Sequence, residues 1–76
     1  MLATVTCAPI TRTVRGIRSE VEAGPGQGLP AVSAISCDTL LTVPQTALDP
    51  APVGRLDEVR RAQLDRALRY ALDILY

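Results

Sequence analysis

Residues 3–10 read Ala-Thr-Val-Thr-Cys-Ala-Pro-Ile, and this stretch decides the fold class. Its β-branched and small apolar side chains are typical of a buried β-strand. Pro9 has no N–H group to donate to a neighbouring strand, so we expect the strand to be irregular or at a sheet edge there. The segment is therefore predicted to belong to a sheet.

Further strand-like segments follow, separated by residues that form turns. Residues 18–22 alternate weakly between polar and apolar types, and residues 31–38 and 40–43 are richer in apolar types, with apolar side chains at 32, 35 and 37. Between them, residues 11–17 are polar and arginine-rich, and residues 23–30 are rich in glycine and proline, which indicates loops. We therefore expect several short strands joined by irregular connections.

The C-terminal segment has the periodicity of an amphipathic helix. The predicted apolar stripe consists of Val59, Leu64, Ala67, Leu68, Ala71, Leu72 and Leu75. Asp57 is a suitable N-cap, and ion pairs at i, i+4 are expected between Asp57 and Arg61 and between Asp65 and Arg69. Strands followed by one helix predict a single α+β domain over residues 1–76.

Size and composition limit the possible functions. A chain of 76 residues buries only about 60% of its unfolded surface, so a partner chain is the expected source of additional core. The net charge is zero, which gives no overall attraction to nucleic acid or to a membrane, and no apolar run approaches the ~20 residues of a membrane span. The only aromatic residues are two tyrosines, so any RNA binding would rely on arginine, backbone groups and shape.

The chain has two cysteines and no histidine. A structural zinc site needs about four clustered ligands, so neither a metal nor another cofactor is expected. Cys7 and Cys37 would pair only if the strands brought them together. Because the N-terminus lacks the pattern of a signal peptide, a cytoplasmic protein with two reduced thiols is predicted. Packing is the favoured role for both thiols, because no base is available to lower their pKa.

Three stretches in the same order carry a recognisable pattern: residues 5–11 (Val-Thr-Cys-Ala-Pro-Ile-Thr), residues 28–43 (Gly-Leu-Pro, then Ser, Cys-Asp and Thr-Val) and residues 54–68. Their order and spacing resemble the MazF/PemK family of toxins. The resemblance implies an SH3-like small β-barrel with a C-terminal α-helix, assembled as a homodimer. It also implies an endoribonuclease that cuts single-stranded mRNA at short sequences by metal-independent transesterification and is neutralised by a MazE-like antitoxin.

The resemblance also assigns candidate site residues. Thr11 matches the family's threonine near the scissile phosphate, where a hydroxyl donor stabilises developing charge; the alternative is a hydrogen bond within its own loop. Asp38 and Thr39 match positions that contact RNA in some members, although the family has an amide where Thr39 stands. A structural role at a strand end is the alternative for both.

Arg12, Arg15 and Arg18 are candidate RNA-binding residues, because guanidinium groups offer forked donors to phosphate oxygens. The alternative is a solvated basic loop balanced by Glu20 and Glu22. The family has a further N-terminal segment with a catalytic arginine, and one of the three arginines is a candidate to replace it.

The missing segment leaves three explanations open: a truncated toxin, a gene read from the wrong start, or a degenerate copy. Two functions follow from the resemblance. One is an active mRNA interferase; the other is an inactive fragment that binds an antitoxin or pairs with another subunit. An unrelated small β-rich domain with chance matches is the third hypothesis.

Overall fold

The computed structural model describes residues 3–72 and contains five short strands and one α-helix. The elements are β1 (Thr4–Cys7), β2 (Ile10–Thr11), β3 (Glu20–Ala23), β4 (Ser33–Ser36), β5 (Leu41–Pro44) and α1 (Glu58–Ala71). Two short 3-10 turns, Pro25–Gln27 and Gln45–Ala47, lie in the connections. Strands followed by one helix agree with the predicted α+β class.

The strands form two antiparallel ladders within residues 3–72. β1 pairs with β5, and β4 lies between β2 and β3 in a three-stranded sheet. The chain passes from one ladder to the other at Ala8 and Pro9, which confirms the irregularity predicted at the proline. The carbonyl of Pro9 accepts a hydrogen bond from the N–H of Ser36 at 2.8 Å, so the break remains attached to the end of β4.

Several predicted boundaries were wrong. Thr11 was assigned to a loop but lies in β2, and β3 begins at Glu20 rather than at Arg18. Val32 was included in the predicted strand of residues 31–38 but precedes β4 and is 54% exposed, whereas every residue of β4 is buried because β4 is the central strand. The buried hydroxyl of Ser33 donates to the carbonyl of Ala31 at 3.0 Å, which satisfies it inside the sheet.

The core lies between the three-stranded sheet and α1. Its buried members are Val21, Ala23, Ile35, Cys37 and Ala67. The half-buried residues packed around them include three from the predicted helical stripe: Leu64, Leu68 and Ala71. Val59 and Leu72 were predicted in that stripe but are 64% and 53% exposed, and Leu75 lies outside the described residues.

Asp57 caps α1 as predicted, because its carboxylate accepts the N–H of Arg60 at 2.8 Å. The ion pair of Asp57 was expected with Arg61 but forms with Arg60 at 3.3 Å. Arg60 also donates to the carbonyl of Glu22, so its side chain is held between the cap and β3. The predicted pair between Asp65 and Arg69 is present at 3.1 Å.

Two glycines from distant parts of the chain meet at a backbone crossing. A Cβ atom on Gly28 would clash with Val53 and Gly54, and one on Gly54 would clash with Gln27. Gly28 also has φ +91°, a conformation that other residues rarely adopt. The N–H of Arg55 donates to the carbonyl of Gln27 at 3.1 Å beside the crossing. The connector before α1 is thereby fixed to the loop between β3 and β4.

Candidate functional site

Thr11 lies at the end of β2, an edge strand of the three-stranded sheet. It pairs with Ala34 of the central strand and is half-buried. Its hydroxyl oxygen accepts the N–H of Thr13 at 3.2 Å, which is the local bond that threonine commonly makes. Because that bond uses the oxygen as an acceptor, the hydroxyl hydrogen stays available to a phosphate oxygen.

Arg15 is held by two carboxylates. Its Nε lies 2.7 Å from Oε2 of Glu20, and its backbone N–H donates to Oε1 of Glu20 at 2.9 Å. Its Nη2 lies 3.3 Å from Asp38, in the turn after β4. We name Arg15, Glu20 and Asp38 the arginine clasp. The clasp fixes the loop of residues 12–18 to β3 and to the turn between β4 and β5.

Glu20 and Arg15 differ in burial, and each shifts the pKa of the other. The Glu20 side chain is 3% exposed, whereas that of Arg15 is 47% exposed. The hydrogen bond from the Arg15 guanidinium holds the pKa of the Glu20 carboxyl below its ordinary value, and burial opposes the shift only in part. The same bond raises the pKa of Arg15. Glu20 is therefore an ionised, structurally engaged carboxylate.

The other predicted residues lie apart from the clasp. Arg12 follows Thr11 directly, is exposed, and has no ion pair with any residue in the described part of the chain. The guanidinium carbon of Arg18 lies 5.7 Å from the centre of the Tyr70 ring on α1. Thr39 is exposed in the turn beside Asp38. The structure thus joins Arg15 to Asp38, and leaves Arg12 beside Thr11.

An open groove of about 300 Å³ lies next to this loop. It is lined by Val14, Gly16, Ile17, Glu20, Val21, Glu22, Ala34 and Gln63. Ala34 pairs with Glu22, which also lines the groove, and on its other side with Thr11, which does not. Gln63, Tyr70 and the burial of Glu20 were missed by sequence reasoning, because each depends on the packing of α1 or of the loop against β3.

Cys7 and Cys37 are not joined in a disulfide in this structure; Cys7 is half-buried and Cys37 is buried. Burial raises the pKa of Cys37, which belongs to the core and is therefore poorly suited to nucleophilic chemistry. Within residues 3–72, no three His, Cys, Asp or Glu side chains come together as a metal-binding group. No helix in the same range is long and apolar enough to cross a membrane.

Comparisons with known proteins agree with this architecture. A curated relative, endoribonuclease MazF3 of Mycobacterium tuberculosis, is 38% identical over 73 residues, which cover 96% of this chain and 70% of the relative. The solved structure of the Mycobacterium tuberculosis toxin MazF-mt6 superposes with a TM-score of 0.89 at 37% identity, covering 99% of this chain and 75% of that one. These superpositions confirm the predicted MazF-type fold.

A more distant structure, a mycobacterial endoribonuclease in complex with its cognate antitoxin, shares the fold with a TM-score of 0.81 at 24% identity, covering 97% of this chain and 69% of that one. The family model described as "PemK-like, MazF-like toxin of type II toxin-antitoxin system" matches residues 1–72. That match spans nearly the whole chain and agrees with the motifs at residues 5–11, 28–43 and 54–68. The chain therefore belongs to the MazF/PemK family of type II toxins.

Proposed function

We propose that this chain is a toxin ribonuclease that cuts single-stranded mRNA in the cytoplasm at short sequences. The observation that carries the proposal is that an exposed arginine, Arg12, directly follows Thr11 in the chain at the end of β2. Arg12 has no ion pair within residues 3–72, and an open groove is lined by Ala34, the strand partner of Thr11. A hydroxyl and a guanidinium group that reach the same phosphate would donate to its two non-bridging oxygens. The proposed unit is one domain over residues 1–76.

The proposed chemistry is transesterification without a metal. The 2′-hydroxyl oxygen of the RNA attacks the adjacent phosphorus and gives up its proton to water. The bond from phosphorus to the 5′-oxygen breaks, and the departing 5′-oxygen takes a proton from water, which leaves a 2′,3′-cyclic phosphate and a 5′-hydroxyl group. Negative charge grows on the non-bridging oxygens as the new bond forms. Thr11 and Arg12 donate to those oxygens, and donors placed at developing charge are among the strongest contributions to catalysis.

The remaining predicted residues are proposed to support RNA binding. The arginine clasp keeps the loop of residues 12–18 in place, and with it the backbone of Arg12 next to Thr11. The exposed half of the Arg15 guanidinium, together with Arg18 and Thr39, supplies contacts to the RNA backbone. Asp38 contributes by holding Arg15 rather than by contacting the phosphate, because its negative carboxylate and the negative phosphate repel each other.

Cleavage of a long single-stranded RNA in EDTA tests the proposal. We expect the wild-type chain to cut, and Thr11→Ala to slow cleavage about 100-fold, as the loss of one donor to developing charge does in other enzymes. Thr13→Ala is the matched control, because it removes a hydroxyl from the same loop without removing the Thr11 donor. Equal rates for the two variants would refute the role of Thr11.

A second candidate function is an inactive module that binds an antitoxin or a second subunit. The β1–β5 ladder favours it, because its register places four apolar residues on one face: Val5, Cys7, Leu41 and Val43. Leu41 is 54% exposed, so this face is incompletely covered. An incompletely covered apolar sheet face is suited to a protein partner.

The two candidate functions are separated by one comparison. Purified chain that binds a MazE-like antitoxin peptide but leaves RNA intact, in the presence and absence of divalent cations, supports the inactive module. Purified chain that cuts RNA and loses this activity when the peptide is added supports the toxin ribonuclease.

A further inference from the structure

A second open groove, of about 390 Å³, lies between α1 and Arg18, two residues before β3. The helix contributes Gln63, Arg66, Ala67 and Tyr70, which are spaced i, i+3, i+4 and i+7 and so share one helix face. Arg18 forms the opposite wall. We name these five residues the helix groove. The bottom of the helix groove is apolar, because Ala67 belongs to the buried core.

The helix groove carries positive charge and an accessible aromatic ring. Tyr70 is 57% exposed, and Arg18 lies 5.7 Å from its ring centre, a distance at which cation and ring attract. Neither Arg18 nor Arg66 forms an ion pair with any residue between 3 and 72. Asp65, the acid next to Arg66, is paired with Arg69 instead.

The helix groove adjoins the groove beside the loop of residues 12–18. Gln63 lines both, and so it marks the point at which they meet. An RNA strand that follows the loop past Gly16 and Ile17 reaches Gln63 and then Tyr70. We name the two grooves together the track.

We infer that the helix groove is a second contact for the same single-stranded RNA, in which a base stacks on Tyr70 while Arg18 and Arg66 bind phosphates. The inference rests on the proposed ribonuclease function and adds a binding site remote from the cut. A flat nucleobase fits on the exposed Tyr70 ring above the apolar bottom of the groove. Stacking of a nucleobase on an aromatic ring does not depend on the RNA sequence. An acidic peptide would use the two arginines but has no planar group for Tyr70.

Equilibrium binding of uncleavable RNA tests the inference. The probes are fluorescent 2′-O-methyl oligonucleotides of random sequence, either long enough to span the track or restricted to a few nucleotides. We expect Tyr70→Ala to weaken binding of the long probe about 10-fold, and Tyr70→Phe to retain it, because a phenyl ring still stacks. The short probe should bind the wild type and both variants alike.

The arginines are tested by the salt dependence of the same binding. Arg66→Ala should lower the slope of log K against log salt by about 0.7, the value for one phosphate contact on a single strand. Arg61→Ala is the matched control, since it removes the same charge from an exposed position of α1 outside the groove. Thermal unfolding of each variant checks that the fold is kept.

Each outcome has a defined meaning. If the wild type binds neither probe, the proposed function and this inference both fail. If the wild type binds and cuts RNA but Tyr70→Ala and Arg66→Ala bind the long probe normally, only this inference fails. If those variants lose affinity for a polyglutamate peptide and not for RNA, the helix groove serves an acidic protein segment and the inference is overturned.

Discussion

At the scale of single residues, Glu20 explains why the Arg15 side chain is held within the loop whereas the Arg12 side chain is exposed. The Glu20 carboxylate is almost fully covered and accepts both the side-chain Nε and the backbone N–H of Arg15. Arg15 is thereby engaged in the structure of the loop, whereas Arg12 stays exposed. One of three arginines in similar sequence contexts thus has a mainly structural role, because two carboxylates, those of Glu20 and Asp38, lie within its reach.

The clasp predicts a pH dependence of stability. Because the folded-state pKa of Glu20 lies below its ordinary value of 4.5, its stabilisation is fully present above that value and is lost as pH falls through the folded-state pKa. We expect Glu20→Gln to lower the melting temperature at pH 7 and to approach the wild type in acid. Calorimetry between pH 7 and pH 3 measures this.

Glu22→Gln is the control for that experiment, because Glu22 is exposed on the same strand and its side chain makes none of the clasp's contacts. The Glu20 charge would be shown not to stabilise the loop if Glu20→Gln lowered the melting temperature equally at every pH. The same conclusion would follow if Glu22→Gln lowered the melting temperature as much.

At the scale of elements, the crossing of Gly28 and Gly54 holds the connector that leads into α1. The proline-containing connector before the helix has one close backbone contact with the loop between β3 and β4, and both partners at that contact lack a Cβ atom. The crossing therefore sets the approach of the helix to β3, and with it the position of the helix groove.

Alanine substitution tests the crossing. We expect Gly54→Ala to reduce the free energy of unfolding by more than about 1 kcal/mol, because the added methyl group has no space beside Gln27. Gly26→Ala is the matched control, since nothing lies within 4 Å of the position its Cβ would take. Urea denaturation gives both values. Equal stability of the two variants would contradict the crossing.

The elements also show which features the sequence could predict. The Asp57 cap and the break at Pro9 were predicted correctly, because each depends on residues within a few positions. The bond between Arg15 and Asp38 and the contact of Arg18 with Tyr70 were not, because they join residues far apart in the chain. The family motifs predicted the fold and singled out Thr11 as a candidate site residue. Local patterns do not indicate which arginine is left without a carboxylate.

At the scale of the whole molecule, the chain exposes more surface than its mass requires. Its accessible surface is 5768 Å², whereas a compact monomer of 8.1 kDa exposes about 4,500 Å². The excess, about 1,300 Å², exceeds the ~800 Å² that each partner buries in a standard interface. Its radius of gyration, 12.9 Å, is also larger than the about 11.4 Å expected for 76 residues.

We therefore predict a homodimer that uses the apolar face of the β1–β5 ladder. Light scattering at micromolar concentration should give about twice the mass of 8.1 kDa. Leu41→Glu should shift the chain towards monomer, because it places a charge on that face, whereas Thr42→Glu on the opposite face should not. A sharp wild-type monomer peak with cooperative unfolding would contradict the prediction.

The central claim, that Thr11 and Arg12 act at an RNA phosphate attacked by its own 2′-hydroxyl group, is tested most directly with one matched pair of oligonucleotides. A site that the wild-type chain cuts is synthesised with either a ribose or a 2′-deoxyribose before the scissile phosphate, and the products are weighed by mass spectrometry in EDTA. The account predicts a 2′,3′-cyclic phosphate from the first oligonucleotide and no product from the second. Equal cutting of both, or no cutting of any RNA by the wild-type chain, would contradict it.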